Sequence, residues 1–144
     1  MLELPRAIHD AVIAHARRDH PDECCGVLPG VDGRVTRIVE MQNAERSPTG
    51  FSWESGEVLA LHRDMDDRDE EMLVVYHSHT MTEAAPSRTD VRFAVHATGP
   101  DVHWLIVSTR DEDVSFLGGL EAPVKDGQTV TILPAVAGGA GLPE

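Results

Sequence analysis

The sequence has few of the features that stabilise secreted domains or hold a chain in a membrane. Its only two cysteines, Cys24 and Cys25, are adjacent and cannot easily close an unstrained disulfide bond. It has no run of 18 apolar residues, and its first residues, MLELPRAIHDAV, carry an acid and a proline where a secretory signal needs a basic, then unbroken apolar, stretch. We therefore expect a cytoplasmic protein with reduced thiols and no membrane association.

Basic side chains are also scarce. Twelve Lys and Arg residues face 25 Asp and Glu residues, which gives a formal net charge of −13, and Arg17-Arg18 is the only adjacent basic pair. Because nucleic-acid affinity depends on neutralising phosphates, this composition argues against a nucleic-acid partner. The acidic residues that crowd positions 64–71 are typical of a solvated helix face.

A chain of 144 residues with 41% hydrophobic residues predicts one globular domain. Helical spacing predicts a first helix from Pro5 to the break near Pro21. The segments CCGVLPG and RVTRIVEM, separated by turn formers at 29–33, predict a β-hairpin. A second helix is expected to begin with Ser55 as its N-cap and to end near Asp69.

The second half of the sequence predicts a buried sheet and one more helix. MLVVYHSH and VHWLIVST are typical of buried strands, and the intervening helix should run from Ser87 through His96 and stop at Gly99. DVSFLGGL and QTVTILP alternate weakly and predict strands. We therefore expect an α/β fold with a mixed central sheet flanked by helices, a domain over residues 1–134 and a flexible tail over 135–144.

Two histidines in the predicted central strand suggest a metal site. Side chains two apart on a strand point to the same side, so His77 and His79 present their imidazoles to one place. Catalytic zinc commonly takes three protein ligands, and Asp90, at the start of the next helix, is the best third candidate. Taken alone, His-x-His is more often two ordinary histidines, and Ser87-x-x-Asp90 resembles a helix capping box.

The combination H-S-H-x7-S-x-x-D is more specific than either fragment. It resembles the signature of the JAMM or MPN+ metallopeptidases, and the upstream segment PDECCGVL resembles the part of that family that supplies a glutamate. The resemblance runs from about residue 4 to residue 120. It implies a single JAMM/MPN, cytidine-deaminase-like domain with Zn²⁺ held by His77, His79 and Asp90.

The resemblance also implies roles for two further residues. Glu23 would be the general base that takes a proton from the attacking water and returns it to the leaving amine. Ser87 would donate a hydrogen bond to the developing oxyanion. Alone, Glu23 would be interpreted as a surface acid after a helix. The sequence contains no H-E-x-x-H zincin motif, no deaminase motif and no G-x-S-x-G elbow, and the other six histidines need no functional role.

Within the family, HSHTMTEAAPSRTD is similar to actinobacterial hydrolases that free cysteine from a small ubiquitin-like sulfur-carrier protein. This similarity implies cleavage after a C-terminal diglycine, with the carrier's tail extended along a strand edge beside the metal. Trimming of a carrier precursor to expose its diglycine is an alternative, and a non-catalytic MPN binding module is a third. Gly138-Gly139 resembles a carrier tail, although a flexible terminus explains it more simply. The oligomeric state stays open.

Overall fold

The fold is organised around a mixed β-sheet. A computed structural model describes residues 2–82, 84, 87–93, 98, 102–109 and 115–116. In chain order the elements are α1 (Arg6–Asp19), β1 (Cys25–Val31), β2 (Arg34–Val35), β3 (Val39–Met41), α2 (Ser55–Asp67), β4 (Glu71–His79), α3 (Arg88–Phe93), β5 (His103–Ser108) and β6 (Ser115–Phe116). The strand order is β2-β1-β4-β5-β6, and β3 also pairs with β1. The predicted α/β fold with a mixed sheet and flanking helices is confirmed.

The predicted hairpin is present, but its turn is shorter than expected. Asp32 and Gly33 both have positive φ, 51° and 81°, as a tight two-residue hairpin turn requires. Pro29 and Gly30 therefore belong to β1 and not to the turn. The returning chain is split, because β2 pairs with the end of β1 whereas β3 pairs with its start, where Cys25 lies opposite Met41.

Alternating side chains on the sheet form separate cores on its two faces. The face under α1 includes Val12 and Ala16 of the helix with Leu28 and Tyr76 of the strands. The face under α2 includes Leu61 and Met65 with Cys25, Val27 and Met41. Both helices that the apolar spacing predicts therefore pack as expected, on opposite faces of one sheet.

Two details of the helices differ from the sequence-based predictions. The N-cap of α2 is Glu54 and not Ser55, because the Glu54 carboxylate accepts hydrogen bonds from the N–H groups of Gly56 and Glu57. Helix α2 ends at Asp67. The predicted extension of α3 to His96, the predicted QTVTILP strand and the predicted tail over 135–144 lie outside the described residues. No described helix is long and apolar enough to cross a membrane.

The connection from β4 to β5 creates the place for a site. These two strands are parallel and central, with His79 paired to Ser108. The chain must therefore cross over between them, and α3 lies in this crossover. As a result, the start of α3 faces the carboxyl end of β4, where the His77-Ser78-His79 segment lies. On the other side of β4, Cys25 of β1 is paired with His77.

Candidate metal centre

Three side chains converge at the end of β4. The Nε2 atoms of His77 and His79 lie 3.1 Å apart, and each lies 3.0 Å from a different carboxylate oxygen of Asp90. All three residues are buried. Ligand atoms around a tetrahedral zinc ion, with bonds of about 2.0–2.1 Å, are about 3.3 Å apart. The arrangement therefore has the donor types and spacing of a zinc site with one position left for water.

Aromatic packing fixes the ring of His77. Its imidazole stacks on Phe51, with ring centroids 4.8 Å apart and planes inclined by 28°, and meets the edge of Trp104 at 5.5 Å. The Nδ1 atom of His77 is buried and has no hydrogen-bond partner among the described residues. The orientation of this ring therefore depends on shape and not on a hydrogen bond from its second nitrogen.

Hydrogen bonds position His79 instead. The hydroxyl of Thr82 lies 3.1 Å from His79 Nδ1, and the Ser108 hydroxyl donates to the carbonyl oxygen of Thr82 at 2.8 Å. This contact suits the tautomer in which Nδ1 carries the proton and Nε2 keeps its lone pair for a metal. Ser108, at the end of β5, thus supports His79 of β4 through Thr82, which lies in the loop that follows β4.

Asp90 is held by a reciprocal capping box. The Ser87 N–H donates to Asp90 Oδ2 at 2.9 Å, and the Asp90 N–H donates to the Ser87 hydroxyl at 3.1 Å. The capping interpretation of Ser-x-x-Asp is therefore correct, and it is compatible with metal binding because the same carboxylate also faces both histidines. Capping aims the carboxylate at the strand end.

The local electrostatics keep His77 and Asp90 in their metal-binding forms. Burial lowers the pKa of His77, although Asp90 opposes this, so that the imidazole stays neutral near pH 7. Burial alone would raise the pKa of Asp90, but the adjacent histidines and the Ser87 N–H outweigh it and lower the pKa. A neutral imidazole and an ionised carboxylate are the forms that bind a cation.

Glu23 lies beside this group in a position that changes its acidity. Its side chain is almost buried, with 6% of the residue exposed. Burial raises the pKa of Glu23 to about 7, with further increases from Asp90 and Glu45 and an opposing effect from His79. A carboxyl group that exchanges a proton near neutral pH is suited to general acid–base chemistry.

Backbone contacts from three segments place Glu23 next to the histidines. Its N–H donates to the carbonyl oxygen of Ser47 at 2.8 Å, and its own carbonyl oxygen accepts from the Asn43 amide at 3.0 Å. The following residue is tied to the His-Ser-His segment, because the Cys24 N–H donates to the Ser78 hydroxyl at 2.8 Å. Ser78, whose side chain points away from the metal ligands, therefore links Glu23 to them.

The site opens into a cleft of about 330 Å³. One wall is the segment over residues 48–51, and the other is formed by residues 81–82 and the start of α3. Glu23, His79, Ser87 and Asp90 all line this cleft, whereas His77 is fully buried behind it. The structure therefore brings together all five residues that the sequence singled out.

Sequence reasoning missed the residues that support the site. Asn43, Phe51 and Thr82 lie between the predicted helices and strands, and Ser78 lies between the two candidate ligands. None of these four residues belongs to a motif with a defined spacing. The position of Ser78 between two candidate ligands was only a weak indication of its role. The two cysteines are buried free thiols, and burial raises the pKa of each thiol to about 12.

Comparison with known proteins gives a consistent family. The family of prokaryotic homologues of the JAB domain matches residues 5–117. The CysO-cysteine peptidase of Mycobacterium tuberculosis is 59% identical over 104 residues, which cover 71% of this chain and 69% of that protein. The desampylase of Haloferax volcanii is 30% identical over 114 residues, which cover 74% of this chain and 80% of that protein.

A different relative matches a short part of the chain. The sulfur carrier protein CysO of Mycobacterium tuberculosis is 61% identical over 33 residues, which are 23% of this chain and 36% of the carrier. This chain is thus similar to a peptidase over most of its length and to a carrier over a short stretch.

Solved structures agree with the fold. A Desulfitobacterium hafniense protein is 34% identical, covers 81% of each chain and has a TM-score of 0.67. A JAB1/MPN domain protein from Archaeoglobus fulgidus, at 16% identity, shares the fold with a TM-score of 0.55 over 92% of this chain and 95% of that one. The chain therefore belongs to the prokaryotic branch of the JAB-domain family, the JAMM/MPN family whose motif it carries.

Proposed function

We propose that this JAMM-type peptidase uses zinc to hydrolyse the amide bond after the C-terminal diglycine of a ubiquitin-like sulfur carrier, releasing cysteine. The observation that carries the proposal is the presence of Glu23 in the same cleft as His79 and Asp90. The similarity to a CysO-cysteine peptidase supports the choice of substrate.

The donor set supports zinc as the cofactor. Two imidazole nitrogens and a carboxylate are ligands that zinc accepts in catalytic sites, and no further described His, Cys, Asp or Glu completes a closed four-ligand structural site around them. A zinc ion held there would polarise the scissile carbonyl and make water more acidic. His77 and Asp90 need no proton loss on binding, since burial lowers the pKa of His77 and the adjacent histidines lower that of Asp90.

Glu23 performs the proton transfers in this proposal. The carboxylate accepts a proton from the water that attacks the scissile carbonyl, and it returns the proton to the amine nitrogen of the departing cysteine. A carboxyl group of ordinary acidity would hold that proton too weakly for the second step. In the metal-free protein burial raises the pKa of Glu23 to about 7, so this carboxyl group holds a proton more firmly than an exposed one does.

Ser87 is the proposed donor to the oxygen of the scissile carbonyl. Its hydroxyl oxygen accepts the Asp90 N–H, so one lone pair is used for capping. The hydroxyl proton can still be donated, because a serine hydroxyl both accepts and donates. Ser87 also lines the cleft, so the carbonyl group of a substrate bound in the cleft would lie near this residue. The capping contact orients this donor before substrate binds.

The carrier's tail is proposed to lie in the cleft between residues 48–51 and 81–82. Neither edge of β4 is free to receive it. On one side Ser78 N–H donates to the Cys24 carbonyl oxygen, and on the other Thr109 N–H donates to the His79 carbonyl oxygen. Glycine residues suit the cleft because they bring no side chains between its walls.

The test is mass spectrometry of a ubiquitin-like carrier that ends in diglycine followed by one cysteine. We expect zinc-loaded enzyme to remove the cysteine and chelated enzyme to leave the conjugate intact. Glu23→Gln should lower the rate by about 10²–10⁴-fold while zinc remains bound, because it removes proton transfer but no ligand. Glu71→Gln, the same change at the opposite end of β4, is the matched control and should be fully active.

Two results would contradict the proposal. An intact conjugate after incubation with zinc-loaded enzyme would exclude this substrate and favour a binding module. A Glu23→Gln variant as active as the wild-type enzyme would exclude Glu23 as the general base. Measuring zinc in both proteins by elemental analysis separates loss of catalysis from loss of metal.

A further inference from the structure

The end of the chain lies beyond the part that matches the family. The family match stops at residue 117, one position after β6. The sequence continues through residues 118–144, which include Gly138-Gly139 followed by five more residues, AGLPE. A stretch of 33 residues is 61% identical to a sulfur carrier, which is six residues more than the 27 of this remainder. We infer that this carrier-like stretch is the C-terminal segment that begins near residue 112, just before β6.

The sheet brings the start of this segment close to the metal site. His79 is paired with Ser108 of β5, and Ser108 is paired in turn with Ser115 of β6. Neighbouring strands are about 4.8 Å apart, so two steps place the Ser115 backbone about 10 Å from that of the metal-binding His79. The start of the carrier-like segment therefore lies two strands from the metal-binding strand β4.

The covalent connection is long enough to return to the cleft. Gly139 follows Ser115 by 24 positions, since 139 − 115 = 24. Twenty-four residues can span up to about 80 Å when fully extended, far more than the distance required. A short tether also raises the effective concentration of an attached substrate to about the millimolar range. Geometry therefore permits the chain to present its own diglycine to its own site.

We propose that the protein carries its own carrier-type cleavage sequence and hydrolyses the peptide bond between Gly139 and Ala140. The oxygen of water becomes part of the Gly139 carboxylate, and the Ala140 nitrogen receives a proton and leaves as the amine of the peptide Ala140–Glu144. The remaining chain then ends in diglycine. This inference rests on the proposed function, because it uses the same site and the same specificity.

This arrangement gives the C-terminal segment a role beyond that of a flexible tail. In this inference the predicted tail over residues 135–144 belongs to the carrier-like segment. The match covers 36% of the carrier's length. The residues before the bond, Gly138 and Gly139, bring no side chains between the walls of the cleft.

Intact mass spectrometry of the full chain tests the inference. The protein is purified with a chelator, zinc is added, and the mass is followed over time at protein concentrations that differ a hundredfold. We expect loss of the five residues 140–144 at a rate that does not change with concentration, because the reaction occurs within one molecule. A rate that rises in proportion to concentration would overturn cleavage within the chain.

Substitutions beside the bond separate this inference from the proposed function. Gly139→Asp should remain full length and should still release cysteine from an added carrier conjugate. Gly141→Asp, with the same change on the leaving side, should be cut at the wild-type rate. An uncut wild-type chain that cleaves the added conjugate would overturn the inference alone, whereas failure with both substrates would overturn the proposed function as well.

Discussion

Glu23 shows how far the fold changes the chemistry of a single residue. In the sequence it is one of 25 acidic residues, and in the structure it is almost completely buried beside two metal ligands. Burial favours the protonated form of Glu23. At a solution pH that would ionise an exposed carboxyl group, this burial lowers the stability of the folded state. The property that makes Glu23 useful as a base is therefore expected to reduce the stability of the metal-free protein.

This cost predicts a pH-dependent effect of Glu23→Gln on stability. The folded pKa, about 7, lies above the usual 4.5, so the folded protein retains a proton that the unfolded chain loses. Stability is then fully present below pH 4.5 and falls as pH rises towards 7. In metal-free protein, the variant should gain up to about 3 kcal/mol over wild type between pH 4.5 and 8.

Urea denaturation of both chelated proteins at several pH values measures this gain. Glu71→Gln serves again as the control and should follow the wild-type dependence on pH. A constant difference between Glu23→Gln and wild type across the range would show that Glu23 is not held in its protonated form.

Gly26 is a residue where one methyl group should matter. A Cβ atom there would lie 2.3–2.4 Å from the ring and hydroxyl of Tyr76. That ring cannot move freely, because its hydroxyl lies 2.6 Å from Nδ1 of the buried His15. Gly26→Ala should therefore destabilise the protein by about 1–3 kcal/mol, as overpacking does in other cores.

Thermal or urea denaturation measures this effect. Gly56→Ala, near the start of α2, is the control and should change stability by less than about 1 kcal/mol, because the added Cβ would meet only the flexible Glu54 side chain, at 3.2 Å. Equal effects of the two substitutions would contradict the steric role of Gly26.

Among the elements, α3 is short but decisive for the site. It has six residues, Arg88–Phe93, and its first turn supplies a metal ligand. Its capping box couples helix formation to the direction of the Asp90 carboxylate. A helix of this length has little intrinsic stability, so the capping box contributes much of the stability of α3.

This coupling predicts that Ser87→Ala weakens metal binding. Loss of the hydroxyl leaves the Asp90 N–H without its partner and should lower zinc affinity by about 10-fold or more, the usual effect of a lost contact that orients a ligand. Competition with a chromogenic chelator measures the affinity. Ser87→Thr retains the hydroxyl and should restore most of it.

Ser55→Ala is the matched control, since Ser55 begins α2 without capping it. It should bind zinc as the wild-type protein does. Unchanged affinity in Ser87→Ala would show that Asp90 is oriented without its cap.

At the scale of the whole molecule, the metal site joins parts that are distant in sequence. The histidines come from a central strand and the aspartate from a crossover helix, and His77 packs against Phe51 and Trp104 from two further segments. A ligand that binds the folded state alone stabilises all these contacts together. Zinc is therefore expected to affect global unfolding and not only the local site.

Zinc at 100 times its dissociation constant should stabilise the folded state by about 2.7 kcal/mol. For a domain of this size, that corresponds to an increase in Tm of about 5–10 °C. Differential scanning calorimetry with zinc and with chelator measures the change. His79→Gln should abolish the increase, and a Tm of the wild-type protein that does not respond to zinc would contradict the metal site.

The sequence by itself determined the local elements and the family. Apolar spacing located α1, α2, β4 and β5, because helix and strand periodicity depend only on neighbouring residues. The alternation of side chains along a strand was enough to place His77 and His79 on one side. The motif that joins them to Ser87 and Asp90 identified the family, and that identification is confirmed.

Tertiary structure decided what depends on distant contacts. The N-cap of α2, the ring contacts of His77 and the raised pKa of Glu23 all depend on residues whose proximity no local pattern encodes. The occupied edges of β4 are a further case, because strand order follows from how the whole sheet assembles. Side-chain periodicity acts over a few residues, whereas burial and acidity depend on every segment that packs around a group.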